Sequence, residues 1–192
     1  MAYTARELER ETLRDFELLA AKQGSCWCMY YQRETPLPKG RTSAEQRAIN
    51  RRDKRKLVRD GLSHAILVYE GNTPIGWCQY GRREELPRID ARRTYRTVRA
   101  PAGDSNLWRI TCFFVDRAYR GKGAAAFALK AALASIRRQG GGVVEAYPVV
   151  DKMAAVAEWR WFGTPGMFRR EGFRTVAPLG TSGVLMRKTI RA

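Results

Sequence analysis

The stretch Val115-Asp-Arg-Ala-Tyr-Arg120-Gly-Lys-Gly123-Ala-Ala125 decides how this chain is read. Ahead of it, Ile110-Thr-Cys-Phe-Phe-Val115 is an apolar, aromatic and β-branched run of strand length. Behind it, Ala125, Leu129, Ala132, Leu133 and Ile136 recur at helical spacing, with Lys130, Arg137 and Arg138 off that stripe. A strand, a glycine-rich basic turn and a helix therefore follow one another. Such a turn aims unpaired backbone N–H groups from the positive end of the helix dipole, a geometry that binds phosphate. Neither the dinucleotide-binding glycine fingerprint nor the P-loop spacing is met.

Working outward, 192 residues with 44% hydrophobic content suffice for a single domain with one good core. No run approaches the roughly 20 apolar residues that span a bilayer. The start, Met1-Ala-Tyr-Thr-Ala-Arg-Glu7, is already charged and unlike an export signal. A cytoplasmic protein without a membrane segment is expected. The net charge is +17, from 36 Lys+Arg against 19 Asp+Glu. Arg47, Arg51, Arg52, Lys54, Arg55, Lys56 and Arg59 form one basic cluster, and the arginines from Arg82 to Arg99 another. Such a field attracts anions, nucleic acid included, without specificity. A solvated basic surface accounts for it equally well, and no sequence-reading nucleic-acid motif is present.

The four cysteines read as buried free thiols. Cys26 and Cys28 alternate around Trp27 in an expected strand, while Cys78 and Cys112 lie in other apolar runs. With His64 as the only histidine, a zinc set is not built. A thiol nucleophile would need an activating base, and no histidine offers one.

Thr4-Ala-Arg-Glu7 reads as a capping box, opening a helix with Leu8, Thr12, Phe16 and Leu19 buried, to Gly24. The aromatic run Cys26–Gln32 reads as a strand, and Ser43-Ala-Glu-Gln46 opens a second helix running to Gly61. Residues 64–69 and 74–80 form a β-hairpin. Residues 82–106 make a long charged loop, of a length that tends to be functional or mobile. Then come a strand at 143–148, a short helix at 164–172 with proline in its first turn, and strands at 173–177 and 183–187.

In this order, the turn Arg120-x-x-Gly123-x-Ala125 resembles the acyl-CoA pyrophosphate loop of the GNAT N-acetyltransferase superfamily. Glu70-Gly-Asn-Thr-Pro-Ile-Gly-Trp77 is similar to a hairpin of that family, and Glu171-Gly-Phe173 to its last helix–strand junction. Cys26-Trp-Cys-Met29 resembles a segment of an uncharacterised bacterial subgroup. The resemblance implies an α/β (α+β) GNAT fold: a mixed sheet of six or seven strands, splayed after the fourth and flanked by helices. The expected layout is one domain over 1–192, with a helical extension at 1–25 and the core at 26–192.

It also implies acetyl-CoA as cosubstrate and an amine acceptor, either a small molecule or a peptide; the oligomeric state is left open, with a dimer among the options. Backbone groups of Phe113, Phe114 and Val115 would hold the pantetheine arm. Those of Gly121, Lys122, Gly123, Ala124, Ala125 and Ala126 would cradle the pyrophosphate, with Arg120 and Lys122 adding charge. The glutamate many relatives carry on the strand before the loop is Arg109 here, and the usual acid tyrosine is Phe168. Other relatives carry a glutamate on the fifth strand, and Val144-Glu145-Ala146 resembles that placement, which implies Glu145 as candidate base; Tyr147, on the same strand face, is the candidate proton donor. An acceptor pocket is expected between the N-terminal helices, the 82–106 loop and Trp159-Arg-Trp-Phe-Gly163. Two other readings stay open: an acyl-CoA-binding regulator without chemistry, and a basic nucleic-acid-associated protein.

Overall fold

The computed structural model describes residues 2–98, 106–150 and 161–192. Seven strands build one sheet: β1 (Tyr3–Glu7), β2 (His64–Glu70), β3 (Thr73–Arg82), β4 (Leu107–Val115), β5 (Gly142–Ala146), β6 (Arg174–Leu179) and β7 (Gly183–Ile190). Their order is β1-β2-β3-β4-β5-β7-β6. Every neighbouring pair is antiparallel except β4 and β5, which run parallel.

The apolar stripes of four helices cover the two faces. Phe16 and Leu19 of α1 (Leu13–Gln23) and Val58 of α2 (Ser43–Arg59) pack with Leu67, Trp77 and Phe114. On the other face, Leu129, Ala132 and Ile136 of α4 (Ala124–Arg138) and Phe168 of α5 (Pro165–Arg170) pack with Ile75, Trp108 and Phe113. The short α3 (Arg93–Arg96) lies before β4.

One irregularity positions the site. Tyr80 stands opposite Ile110 and Gln79 opposite Cys112, so Thr111 is an extra residue in β4. A bulge of this kind reverses the alternation of side chains beyond it. Trp108 and Ile110 therefore share a face with Phe113, while Cys112 and Phe114 turn to the α1–α2 side. The β5 partnership ends at the same place, because Leu107–Ile110 pair with Val143–Ala146 and no later residue of β4 does. From Thr111 to Val115, β4 is paired on the β3 side alone among the described residues. The expected splay after the fourth strand is present.

Three expectations are corrected. Residues 3–7 are not the start of a helix but a sheet-edge strand, because β2 offers them a full antiparallel ladder from Tyr3↔Glu70 to Glu7↔Ile66. The helix begins only at Leu13. Cys26–Gln32 is a turn rather than a strand, with Trp27 and Cys28 in the left-handed region at φ 53° and 51°. The 82–106 segment is, where described, less a solvent loop than a packed wall: Leu86, Ile89 and Tyr95 are buried. Residues 99–105 lie outside the described residues.

Candidate active site at the parted strands

α4 begins at the glycine-rich turn. Gly121 and Gly123 have φ of 77° and 87°, which favours glycine, and among the described residues nothing but the chain neighbours lies within 4 Å of where a Cβ would stand on either. From Gly121 to Ala126 no backbone N–H donates within the chain among the described residues; the first bond of the helix is Phe127 N–H to Gly123 O, at 3.0 Å. These amides border a groove of about 440 Å³, walled by Phe113 and Val115 of β4, Ala124–Ala126 of α4, and Met167 and Arg170 of α5. Arg120 folds back so that its Nε donates to Val115 O (3.0 Å). Lys122 is exposed. Free amides, a positive helix end and open space at both glycines fit a phosphorylated ligand.

On the opposite face, a pocket of about 350 Å³ is lined by Gln23, Cys26, Cys28, Tyr31, Gln79 and Cys112, among others. Trp161 lines both the groove and the pocket. Its ring stacks on Phe114 at 5.9 Å and 9°. The two cavities therefore share a wall where β4 has left β5. Of the expected segment Trp159–Gly163, Trp161 and Phe162 line the pocket, whereas Trp159 and Arg160 lie outside the described residues.

Glu145 and Tyr147 are brought together, and both are buried. Glu145 has no exposed surface. One carboxylate oxygen accepts from Tyr95 Oη and Tyr147 Oη, each at 2.7 Å, and the other accepts from Arg187 Nε at 2.7 Å. Burial first, and the neighbouring Glu145 charge as well, push Tyr147 well above the ordinary tyrosine range, so its hydroxyl keeps its proton. Arg109 is also fully buried: its guanidinium donates to Asp90 (2.7 and 3.0 Å) and to Leu86 O (2.8 Å). Phe168 packs edge-on against Phe113 and Phe173. Neither position offers an acid or a base.

Several participants were not foreseen. Tyr95, assigned to a charged loop, completes the Glu145 cluster from a sequence distance of 50 residues. Lys54, counted in the basic cluster of α2, is 1% exposed. Its Nζ donates to Gln32 Oε1 and to Ser63 Oγ (3.1 Å). The signal was available in part, since Asn50, Lys54 and Val58 recur at helical spacing on the buried side.

Residues 11–164 match the model of the Acetyltransferase (GNAT) family. No curated protein matches the sequence. Among solved structures, the chain is similar to a histone acetyltransferase HPA2 and related acetyltransferase from Corynebacterium glutamicum (TM-score 0.57, 16% identity, 100% of this chain and 98% of that one). It is also similar to PaiA N-acetyltransferase from Thermoplasma acidophilum in complex with coenzyme A (0.55, 13%, 99% and 100%). A third is the ribosomal-protein-S18-alanine N-acetyltransferase of Escherichia coli (0.54, 10%, 100% and 96%). At these identities the likeness is one of fold.

Proposed function

This chain belongs to the acetyltransferase (GNAT) family, and we propose that it moves the acetyl group of acetyl-CoA onto a primary amine seated in the thiol- and aromatic-lined pocket. The observation that carries this reading is the shared Trp161 wall: a phosphate-compatible groove and a second pocket meet at the parted segment of β4. In this reading the amides of Gly121–Ala126 take the pyrophosphate, with Arg120 and Lys122 beside them. The backbone of Phe113, Phe114 and Val115, lacking a β5 partner, takes the pantetheine arm. Acetyl-CoA supplies an activated thioester.

The chain then has to orient the amine, exclude water and hold protons. Tyr147 is proposed as proton donor to the departing sulfur, because it follows Ala146, the last β5 residue paired with β4, and its hydroxyl is kept protonated. Glu145 is proposed to hold Tyr147 and Tyr95 in place. Its two oxygens already accept three hydrogen bonds, from Tyr95, Tyr147 and Arg187.

The acceptor is proposed to be an amine with an uncharged, partly aromatic body, free or at the end of a peptide. No carboxylate lines the pocket among the described residues. Arg92 Nη1 donates to Tyr31 Oη (3.3 Å), and Arg88 lies 4.0 Å over the Tyr30 ring, so a polycation would meet like charge. The turn at Cys26-Trp-Cys-Met29 builds one wall of this pocket and is the segment by which we would delimit a subgroup of the family.

A thermal-shift titration with acetyl-CoA, followed by coenzyme A release over a panel of primary amines, tests the proposal. A rising melting temperature and release with an aromatic amine are expected. No shift at millimolar acetyl-CoA overturns it. A shift without release on any amine would favour the regulator reading instead.

A further inference from the structure

The turn from Gly24 to Gln32 is held in a costly conformation, and what it holds is a thiol. Two consecutive non-glycine residues, Trp27 and Cys28, occupy the left-handed region, at a cost on the order of 1–2 kcal/mol each. Such strain persists only where the surroundings over-determine it. Here Trp27 N–H donates to Gln23 Oε1 (3.2 Å), Gln79 Nε2 to Cys28 O (2.9 Å) and Met29 N–H to Cys26 O (3.0 Å). The bulge residue joins the same network, since Thr111 Oγ1 donates to Gln79 Oε1 (3.2 Å). The bulge that parts the strands also turns Cys112 into the pocket. Together these devices set the Cys28 sulfur against a buried donor, Trp77 Nε1, in a pocket that it lines with Cys112.

We propose that Cys28, which lines the pocket beside Cys112, is the group that takes the proton from the acceptor amine. The inference rests on the acetyl-transfer reading above and supplies a base at the pocket, since Arg109 and Phe168 are not bases and Glu145 does not line it. Trp77 Nε1 donates to Cys28 Sγ at 3.0 Å, a contact that strengthens as negative charge builds on sulfur. Lys54 of α2, whose buried Nζ lies 5.5 Å from the centre of the Phe16 ring, acts on Cys28 through its charge. Cys112 of β4 lines the same pocket and, with Cys26 on the turn and Cys78 of β3, is among the thiols whose charge bears on Cys28. Cys26, Cys28, Cys112 and Tyr31 all line the pocket.

Burial pushes the Cys28 thiol up, but the Cys112 hydrogen bond, the Lys54 charge and the Trp77 N–H bring it below its ordinary value. Cys112, buried beside other thiols, is pushed well above its ordinary value, so of the two thiols Cys28 is the one that gives up its proton more readily.

The acceptor enters as an ammonium and one proton passes to the Cys28 sulfur. The freed nitrogen lone pair forms the C–N bond to the acetyl carbon while the carbon–sulfur bond breaks, its pair remaining on the coenzyme A sulfur. Tyr147 protonates that sulfur and regains its proton from the nitrogen, which loses its second proton as the amide forms. The proton on Cys28 leaves to solvent through the pocket.

Ultraviolet titration of thiolate absorbance on the full chain, wild type against Cys28→Ser and Cys112→Ala, tests this without acetyl-CoA. A thiolate titrating below about 8.5, the free-cysteine value, should be present in wild type, be absent in Cys28→Ser and move upward in Cys112→Ala. With a panel amine that is turned over, Cys28→Ser should cut kcat/KM by about 100-fold and remove the acid limb of its pH profile. Its acetyl-CoA thermal shift should stay unchanged, which separates this inference from the reading it rests on. Absence of a low-titrating thiolate overturns the proposal, as does an acid limb that survives Cys28→Ser. Acetylation of Cys28 found by peptide mass spectrometry after acetyl-CoA treatment would also overturn it, making the thiol a nucleophile instead.

Discussion

Arg109 of β4 stands opposite Glu145 of β5 in the parallel register, one pair before the strands part, yet each is neutralised by a different partner. Asp90 takes Arg109 and Arg187 takes Glu145. The two tyrosines on Glu145 knit these pairs together, since Tyr95 Oη also lies 3.5 Å from Arg109. Buried charges of this kind are tolerated only when fully paired. Glu145→Gln should therefore lower stability by about 3 kcal/mol, the usual cost of leaving one partner of a buried pair alone. Denaturant unfolding measures it, and the acetyl-CoA thermal shift should be retained.

Tyr147→Phe removes a proton donor while preserving the ring. Coenzyme A release with a competent amine should fall by about 100-fold or more, with acetyl-CoA affinity unchanged. Stability should drop by only about 1 kcal/mol, since Glu145 keeps Tyr95 and Arg187. An unaltered rate would remove Tyr147 from the proposed chemistry.

Lys54 gives the fold a pH signature. Burial pulls its pKa down to about 8, with the nearby thiols opposing that shift. Between pH 8 and the ordinary lysine value of 10.5 the unfolded chain binds more protons than the folded one, so stability rises with pH. Below pH 8 the full cost of burying the charge is present. Lys54→Met should flatten that rise and raise the melting temperature at pH 7, because Ser63 Oγ and Gln32 Oε1 already lie 3.2 Å apart and can pair without it. Melting curves at pH 7 and pH 9.5 for both proteins check the difference.

Gly76 tests the strand that parts. A Cβ there would stand 2.4 Å from Phe114 O, a backbone atom that cannot swing aside. Gly76→Ala should cost about 1–3 kcal/mol and weaken acetyl-CoA binding, since β4 must shift at the segment proposed to hold the pantetheine arm. Unfolding and calorimetry on the same variant show whether the two effects move together.

The central strand–turn–helix, the β2–β3 hairpin and the closing strands were legible in the sequence because local pattern and tertiary partner agree there. Two segments misled for opposite reasons. Thr4-Ala-Arg-Glu7 carries a helix-start pattern, but it is short and β2 offers it a ladder, so pairing wins over capping. Cys26–Gln32 alternates like a strand, but Gln79 and Trp77, some fifty residues away, fix its backbone and its thiol. Propensity is a weak prior against such contacts. The amides of the phosphate-compatible turn belong to one local motif and could be read directly. Tyr95, Arg187 and Lys54 belong to no motif, and only the fold brings them to Glu145 and Cys28.

A calorimetric titration of acetyl-CoA into wild type and Gly123→Val tests the central claim most directly. A Cβ at position 123 would meet nothing within 4 Å among the described residues beyond its chain neighbours, but its backbone would be strained at φ 87° and its bulk would project where the ligand is proposed to lie. Wild type should bind one acetyl-CoA per chain, and Gly123→Val should lose at least tenfold in affinity, about 1.4 kcal/mol, while remaining folded. Equal binding by both proteins, or no binding by wild type, would contradict the placement of acetyl-CoA at the start of α4.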